Sequence, residues 1–193
     1  MSISAARPRA PGVTLVELIV FIVIVGVAMA GLFAAFNTMT AASADPQVRK
    51  QVLAIAESLM DEIAQMPFTY CDPDDPAAAT ANGTGDCATV EAIGPEGGET
   101  RYSTTTRFDN VSDYDTFVMN SGTGGIKGIN NVAIGGLAAY SATVAVAQVA
   151  LASGVDLIPG TESLRISVTV SGPGGVSITL EGYRIRYAPR AVP

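Results

Sequence analysis

Glu17 is the only ionisable side chain in the run VTLVELIVFIVIVGVAMAGLFAAF at residues 13–36. A carboxylate among so many apolar neighbours needs a partner or a proton, because an unpaired charge in such surroundings is strongly disfavoured. The segment itself contains no cation that could serve. Two further groups of acids lie downstream: Asp72, Asp74 and Asp75 beside Cys71, and Asp109, Asp113 and Asp115 around Asn110. Oxygen-rich loops of this kind bind calcium in extracellular domains, although the spacing here is not that of an EF-hand and a solvated acidic loop is the commoner case. Cys71 and Cys87 stand in a stretch rich in Asp, Pro, Gly and Ala, where no core is expected to bury a free thiol. In a domain outside the cytoplasm, a disulfide closing this loop is the natural arrangement, contributing about 3 kcal/mol by restricting the unfolded chain.

What is missing narrows the chemistry. The chain has no histidine, which removes the usual general base, the Ser-His pair and the commonest zinc ligand. The glycine-rich stretches at residues 94–98 and 122–128 lack the Lys-Ser/Thr that completes a phosphate loop, so both are expected to be turns. A net charge of −7, with Arg7 and Arg9 both in the first twelve residues, leaves the rest of the chain still more acidic. That balance argues against nucleic acid as a partner, since binding phosphates requires basic surface.

The elements that must position these residues begin at the N-terminus. Residues 1–12, MSISAARPRAPG, are basic and interrupted by Pro8 and Pro11, and are expected to form no regular element. A helix over residues 13–36 could cross a hydrocarbon layer of about 30 Å, with Arg7 and Arg9 holding the leader on the cytoplasmic side. A secretory signal peptide is one explanation, with Ala42-Ser43-Ala44 as its cleavage motif, but the apolar run is too long and contains Glu17. An ordinary signal anchor fits the length and leaves Glu17 without a purpose.

A third explanation gives it one. Gly12-Val13-Thr14-Leu15-Val16-Glu17-Leu18 resembles the prepilin cleavage motif of type IV pilins and type II secretion pseudopilins. The resemblance implies that a prepilin peptidase in the inner membrane cuts after Gly12 and methylates the new N-terminal residue, Val13. Phe is commoner at that place, but the methyl transfer acts on the amine. Cleavage would create a positive amine at Val13, four residues before Glu17 and on the same helical face. By resemblance, Glu17 neutralises such an amine, chiefly that of the neighbouring subunit during assembly, and so selects axial register more than it adds net stability. The partners implied are the prepilin peptidase/methyltransferase, other pilins or pseudopilins met through the N-terminal helix, and the inner membrane before assembly. The phrase ADPQVRKQVLAIAESLMDEI, followed by an acidic Pro-rich loop and RFDNVSDYDTF, resembles MshD-type minor pilins of the mannose-sensitive haemagglutinin (MSHA) pilus.

Beyond the apolar run, Asp45-Pro46 is a place for a helix to kink or restart. Val48, Val52, Ile55, Leu59 and Ile63 then recur at steps of three and four, opposite Arg49, Lys50, Glu57 and Asp61, as in an amphipathic helix ended by Pro67. Turn formers dominate residues 68–131, with 100–108 the best strand candidate there. Residues 140–149 form a strand with Tyr140, Val144 and Val146 on one face. Leu164, Ile166, Val168 and Val170 alternate with polar residues, and a Gly-Pro-Gly-Gly turn leads to a partner strand beginning at Val176. In that strand Val176, Ile178 and Leu180 face inward, and the phase is expected to change across Gly182 to Tyr183, Ile185 and Tyr187, as at a bulge. The expected fold is α+β and pilin-like: a leader at 1–12, a transmembrane and filament-core helix at 13–44, and an extracytoplasmic domain at 45–193 in which a helix covers an antiparallel sheet.

The function that follows is structural rather than enzymatic: a subunit needing no cofactor, with calcium as a minor alternative at Asp72, Asp74 and Asp75 or at the second acidic group. It would sit in the inner membrane with its domain in the periplasm and move to a filament at the cell surface as a minor, initiating or tip-proximal component. A type II secretion pseudopilin, an adhesin displayed on the filament, and an extracytoplasmic enzyme on a signal anchor are the rival readings.

Overall fold

A computed structural model of the chain describes residue 12 and residues 14–153, 156–187 and 189–190, with backbone alone at 38–45, 153 and 156. Most of the leader and Val13 therefore lie outside the described residues. The chain divides into two compact units, Met1–Ala44 and Asp45–Pro193, linked through one helix, α1, over Leu15–Ala64. Of the kink or restart expected at Asp45-Pro46, the restart does not occur. Helical backbone continues through Pro46, although a proline inside a helix forfeits one backbone hydrogen bond and crowds the preceding turn.

In the first unit, α1 starts at Thr14, whose hydroxyl oxygen accepts the Glu17 N–H at 3.3 Å while its carbonyl accepts the Leu18 N–H at 3.1 Å. Thr14 is thus an N-cap, and with Glu17 three positions on it reproduces the sequence pattern of a capping box. The following side chains include many β-branched residues, which favour helix only weakly in water. Helix is nevertheless the form in which a single segment can pair its whole backbone inside lipid.

In the second unit the amphipathic turns of α1 bury Val52, Ala56, Leu59 and Ile63, with Val48, Ile55 and Met60 packed beside them. The opposite positions, Arg49, Lys50, Glu57 and Asp61, are exposed, as the periodicity predicts. The helix ends at Ala64, where the Met66 N–H bonds to the Ile63 carbonyl in a tighter turn, and Pro67 prevents its continuation.

That stripe lies against a four-stranded antiparallel sheet of β1 (Val118–Met119), β2 (Ser141–Gln148), β5 (Ser163–Ser171) and β6 (Ser177–Ile185), in the order β1-β2-β5-β6. A small hairpin of β3 (Leu151–Ser153) and β4 (Asp156–Ile158) interrupts the connection from β2 to β5. Ala142, Val144 and Val146 of β2 and Leu164, Ile166, Val168 and Val170 of β5 point into the core. The other face is polar, with the Thr169 and Thr179 hydroxyls 2.8 Å apart and those of Ser171 and Ser177 3.1 Å apart. This is the alternation of a sheet covered on one side and wet on the other. The fold is α+β and pilin-like: a long N-terminal apolar helix, its amphipathic continuation, and an antiparallel sheet.

Two expectations fail here. Residues 100–108 form turns, not a strand. Their Thr and Ser hydroxyls bond to local backbone and to one another, with Ser103 Oγ accepting the N–H groups of Thr105 and Thr106, and such local bonds compete with a ladder. The phase change in β6 is also absent, since every residue from Ser177 to Ile185 pairs one-to-one with β5. Gly182 stays on the helix side, where a Cβ would sit 3.2 Å from the Met60 sulfur. Tyr183 and Ile185 face outward, and Tyr187 just beyond the strand is exposed as well. Arg184 and Arg186 take the inward positions, Arg184 donating to the Met66 carbonyl at 3.0 Å. The Arg186 guanidinium lies 3.9 Å from the Phe68 ring centre and 4.6 Å from that of Tyr70. Long stems and stacked planar heads let arginine fill half-buried sites that alternation assigns to apolar residues.

Candidate functional site

Gly12 is exposed, with open space where a Cβ would be. Glu17 follows in the first turn of α1 and is exposed, as are its neighbours Val16 and Leu18. From Leu15 to Asn37 the helix is long and apolar enough to cross a membrane, and its most apolar stretch, with a mean hydropathy of 2.9, is not buried. Phe21, Phe33 and Phe36 are each more than half exposed. Carboxylate and apolar surface are thus presented together. A negative side chain in the first turn also complements the helix dipole, a local role for Glu17 that the Thr14-x-x-Glu17 spacing could have disclosed.

The second group of functional side chains lies in the loops after α1. Cys71 and Cys87 form a disulfide with Cα atoms 5.3 Å apart. Contrary to the expectation of a coreless loop, Cys71 is fully buried in a small cluster with Ala78 and Ala81. Asp75 is separate from Asp72 and Asp74: its carboxylate accepts the Ala77 N–H at 2.8 Å and the Thr89 N–H at 2.6 Å, stapling the two sides of the loop. Those backbone donors hold its carboxyl below the usual range.

Asp72 and Asp74 meet residues from elsewhere. Their carboxylates, with those of Glu99 and Asp109, offer oxygens all within 4.8 Å of one another. Glu91, Glu96 and Asp113 form a second such group. Asp113 Oδ2 accepts the N–H groups of Asp109 at 2.9 Å and Asn110 at 2.7 Å and so shapes the turn that carries Asp109. Asp115 belongs to neither group, since its Oδ1 accepts the Val146 N–H of β2 at 2.9 Å. Burial, reinforced by Asp113 and Asp109, pushes Glu99 up to about 8. Burial and the charge of Asp113 raise Asp109 to about 7. Burial also raises Glu91, to about 9, against the opposing effect of a hydrogen bond from Ser112. The two expected acidic groups are therefore re-sorted, and Glu91, Glu96 and Glu99 join them. Glu96 lies within the GPEGG turn, with Glu91 before it and Glu99 after it, and nothing in the one-dimensional spacing links them to Asp72 or Asp109.

Residues that hold this region to α1 also escape sequence inspection. Arg101 donates from Nε and Nη2 to the two Glu62 carboxylate oxygens, both at 2.7 Å, and from Nη1 to the Lys127 carbonyl at 3.2 Å. The Tyr114 hydroxyl adds a third bond to Glu62 at 2.8 Å. Burial opposes ionisation of Glu62, but the hydrogen bonds from Arg101 and Tyr114 outweigh it and hold the carboxyl below its ordinary value.

A long apolar helix continued by an amphipathic half that packs on an antiparallel sheet, with an acid in the first turn, is a pilin-like arrangement. Residues 7–33 match the family model of the prokaryotic N-terminal methylation motif, a stretch that contains both Gly12 and Glu17. The match is confined to the N-terminus and supports a type IV pilin-like or pseudopilin precursor. It implies processing by prepilin peptidase and assembly with other pilins, is consistent with anchoring in a membrane, and suggests a structural subunit. No curated protein and no solved structure matches the chain.

Proposed function

We propose that this subunit is cut after Gly12, methylated at Val13, held in the inner membrane with residues 45–193 in the periplasm, and then drawn into a filament whose core is built from its apolar helix. The observation that carries the proposal is the exposure of the Leu15–Asn37 segment beside Glu17. Lipid covers such a surface before assembly, and the same surface on neighbouring subunits covers it afterwards. Glu17 then pairs with the amine of an adjacent subunit, because an unpaired charge in that packed environment would select against every other axial register.

Within this reading, the phrases at residues 44–63 and 107–117 support a minor pilin of an MSHA-like pilus. A type II secretion pseudopilin shares the same N-terminal logic, and an adhesin displayed on the filament would add a ligand for the loops.

Mass spectrometry of the membrane-extracted protein, with and without prepilin peptidase, tests the processing step. The expected mature N-terminus is N-methyl-Val13; an intact leader, or an N-terminus at Asp45, overturns the proposal. Glu17→Ala should leave cleavage intact and lower recovery in sheared filaments at least tenfold. Glu17→Gln, which keeps the side-chain shape without its charge, should do the same if the charge pair sets register. Co-isolation with MSHA pilins rather than secretion pseudopilins would support the narrower assignment.

A further inference from the structure

Four carboxylates from three separate loop segments converge in the disulfide-bonded domain: Asp72 and Asp74 from the cysteine loop, Glu99 from the end of the GPEGG turn, and Asp109 from the turn before β1. Glu99 is more than nine-tenths buried, and its Oε2 has no hydrogen-bond partner. None of the four forms an ion pair among the described residues, where the ion pairs are Arg101–Glu62 and Arg186–Glu162. A buried carboxylate oxygen with no donor, facing three other carboxylates, is a costly arrangement unless a cation or protons complete it.

The geometry points to a calcium site formed by Asp72, Asp74, Glu99 and Asp109. Calcium binds oxygen at about 2.3–2.6 Å, so ligands on opposite sides of the ion lie about 5 Å apart. The oxygens here all fall within 4.8 Å of one another. A hard, all-oxygen donor set without histidine or a free thiol disfavours zinc and copper. Waters or backbone carbonyls would supply the remaining ligands that calcium requires. The surrounding bonds prearrange the set. Asp72 Oδ1 accepts the Asp74 N–H at 2.8 Å, the Glu99 N–H bonds to the Glu96 carbonyl at 2.9 Å, and Asp113 fixes the Asp109 turn. The ion would tie the disulfide loop to the turns at Glu99 and Asp109, making the order of these loops depend on extracellular calcium.

The full chain in detergent micelles, with its disulfide intact and stripped with EGTA, provides the test. Calorimetric titration with calcium chloride should show one ion per chain. Saturating calcium should raise the near-UV circular dichroism unfolding midpoint by about 5–10 °C, as expected for a ligand at a hundredfold excess over its Kd. Magnesium chloride at matched ionic strength should give less than a quarter of that shift. The double variant Glu99→Gln, Asp109→Asn should lose the calcium shift while unfolding at a higher temperature than the wild type in EGTA, because like-charge repulsion is relieved. Glu57→Gln, on the exposed face of α1, should leave both midpoints unchanged. No calcium-dependent shift, an equal shift with magnesium, an undiminished shift in the double variant, or a double variant less stable than wild type in EGTA would each overturn the site. Processing at Gly12 is read separately by mass spectrometry, so failure here leaves the pilin assignment untouched.

Discussion

The two halves of α1 are made from similar apolar residues and meet opposite fates. Leu18, Ile22 and Leu32 in the first half are each more than half exposed, whereas Val52, Leu59 and Ile63 in the second are almost fully buried. The difference is one of arrangement. In the second half apolar residues recur at helical spacing with charges between them, so one face matches one side of a sheet. In the first half they continue around the whole circumference, and no single domain face could cover them. An all-round apolar helix is built for a surrounding medium, either lipid or copies of itself, and the lone Glu17 is the only charged mark on it from which a register could be set.

If the second half is held by its own domain, its interactions should carry stability. Glu62→Ala should have the largest effect, about 4 kcal/mol in chemical denaturation, because it strands the Arg101 guanidinium, which is only 6% exposed, and removes the partner of Tyr114. Preserved stability would mean that the Glu62–Arg101 knot is not what joins helix and loops. Leu59→Ala should follow, at about 3 kcal/mol, from lost burial and the cavity left between α1 and the sheet.

The contact itself can be probed from the sheet side. At Gly172 a Cβ would lie 2.8 Å from a Tyr140 ring carbon, 2.9 Å from a Val52 methyl and 3.0 Å from a Val48 methyl. Gly172→Ala should therefore cost about 1–3 kcal/mol by overpacking, even though the residue's extended backbone suits alanine. A neutral result would show that α1 can slide away from the hairpin turn.

A smaller effect is expected from pH in the presence of chelator. Burial raises Glu91 from 4.5 to about 9 in the folded state, so folding retains a proton that the unfolded chain releases. That contribution is fully present below about pH 4.5 and fades as pH rises through 9. Glu62 and Asp75 act in the opposite sense: their lowered values give stability that is lost as pH falls through the acid range. The unfolding midpoint in EGTA should therefore peak near about pH 5 and decline by pH 9. A midpoint that rises steadily from pH 5 to 9 would mean that these carboxylates are ionised and paired.

How much of this was legible in the residues follows the range of the interactions concerned. The stripe from Val48 to Ile63 and the alternation at Leu164, Ile166, Val168 and Val170 are local patterns, and both appear in the fold at the expected positions. The Gly12–Glu17 segment was legible for the same reason, since its spacing lies within two helical turns and matches a known motif. The middle of the chain was not. Glu62 and Arg101 are 39 residues apart, and Glu99 meets Asp72 only because the cysteine loop folds back. The turn residues at 100–108 resemble a strand in composition because Thr suits both states, and only their hydroxyl bonds decide between them. The tail of β6 misled for another reason: Arg184 and Arg186 occupy inward positions through their stems and stacked heads, a possibility that simple alternation does not encode.

The smallest predicted effect is also the most discriminating. Leu32→Ala removes as many atoms as Leu59→Ala, but Leu32 is 53% exposed and Leu59 only 3%. In detergent, Leu32→Ala should change the unfolding of the sheet domain by less than about 0.5 kcal/mol, since the side chain is exposed and belongs to the other unit. Recovery in filaments is a separate readout and should fall, because the packing lost there belongs to contacts between subunits. A domain destabilised like that of Leu59→Ala would mean that the first half folds onto its own globular unit. In that case the exposed segment would be a core helix, and its surface would not be available to lipid or to neighbouring subunits.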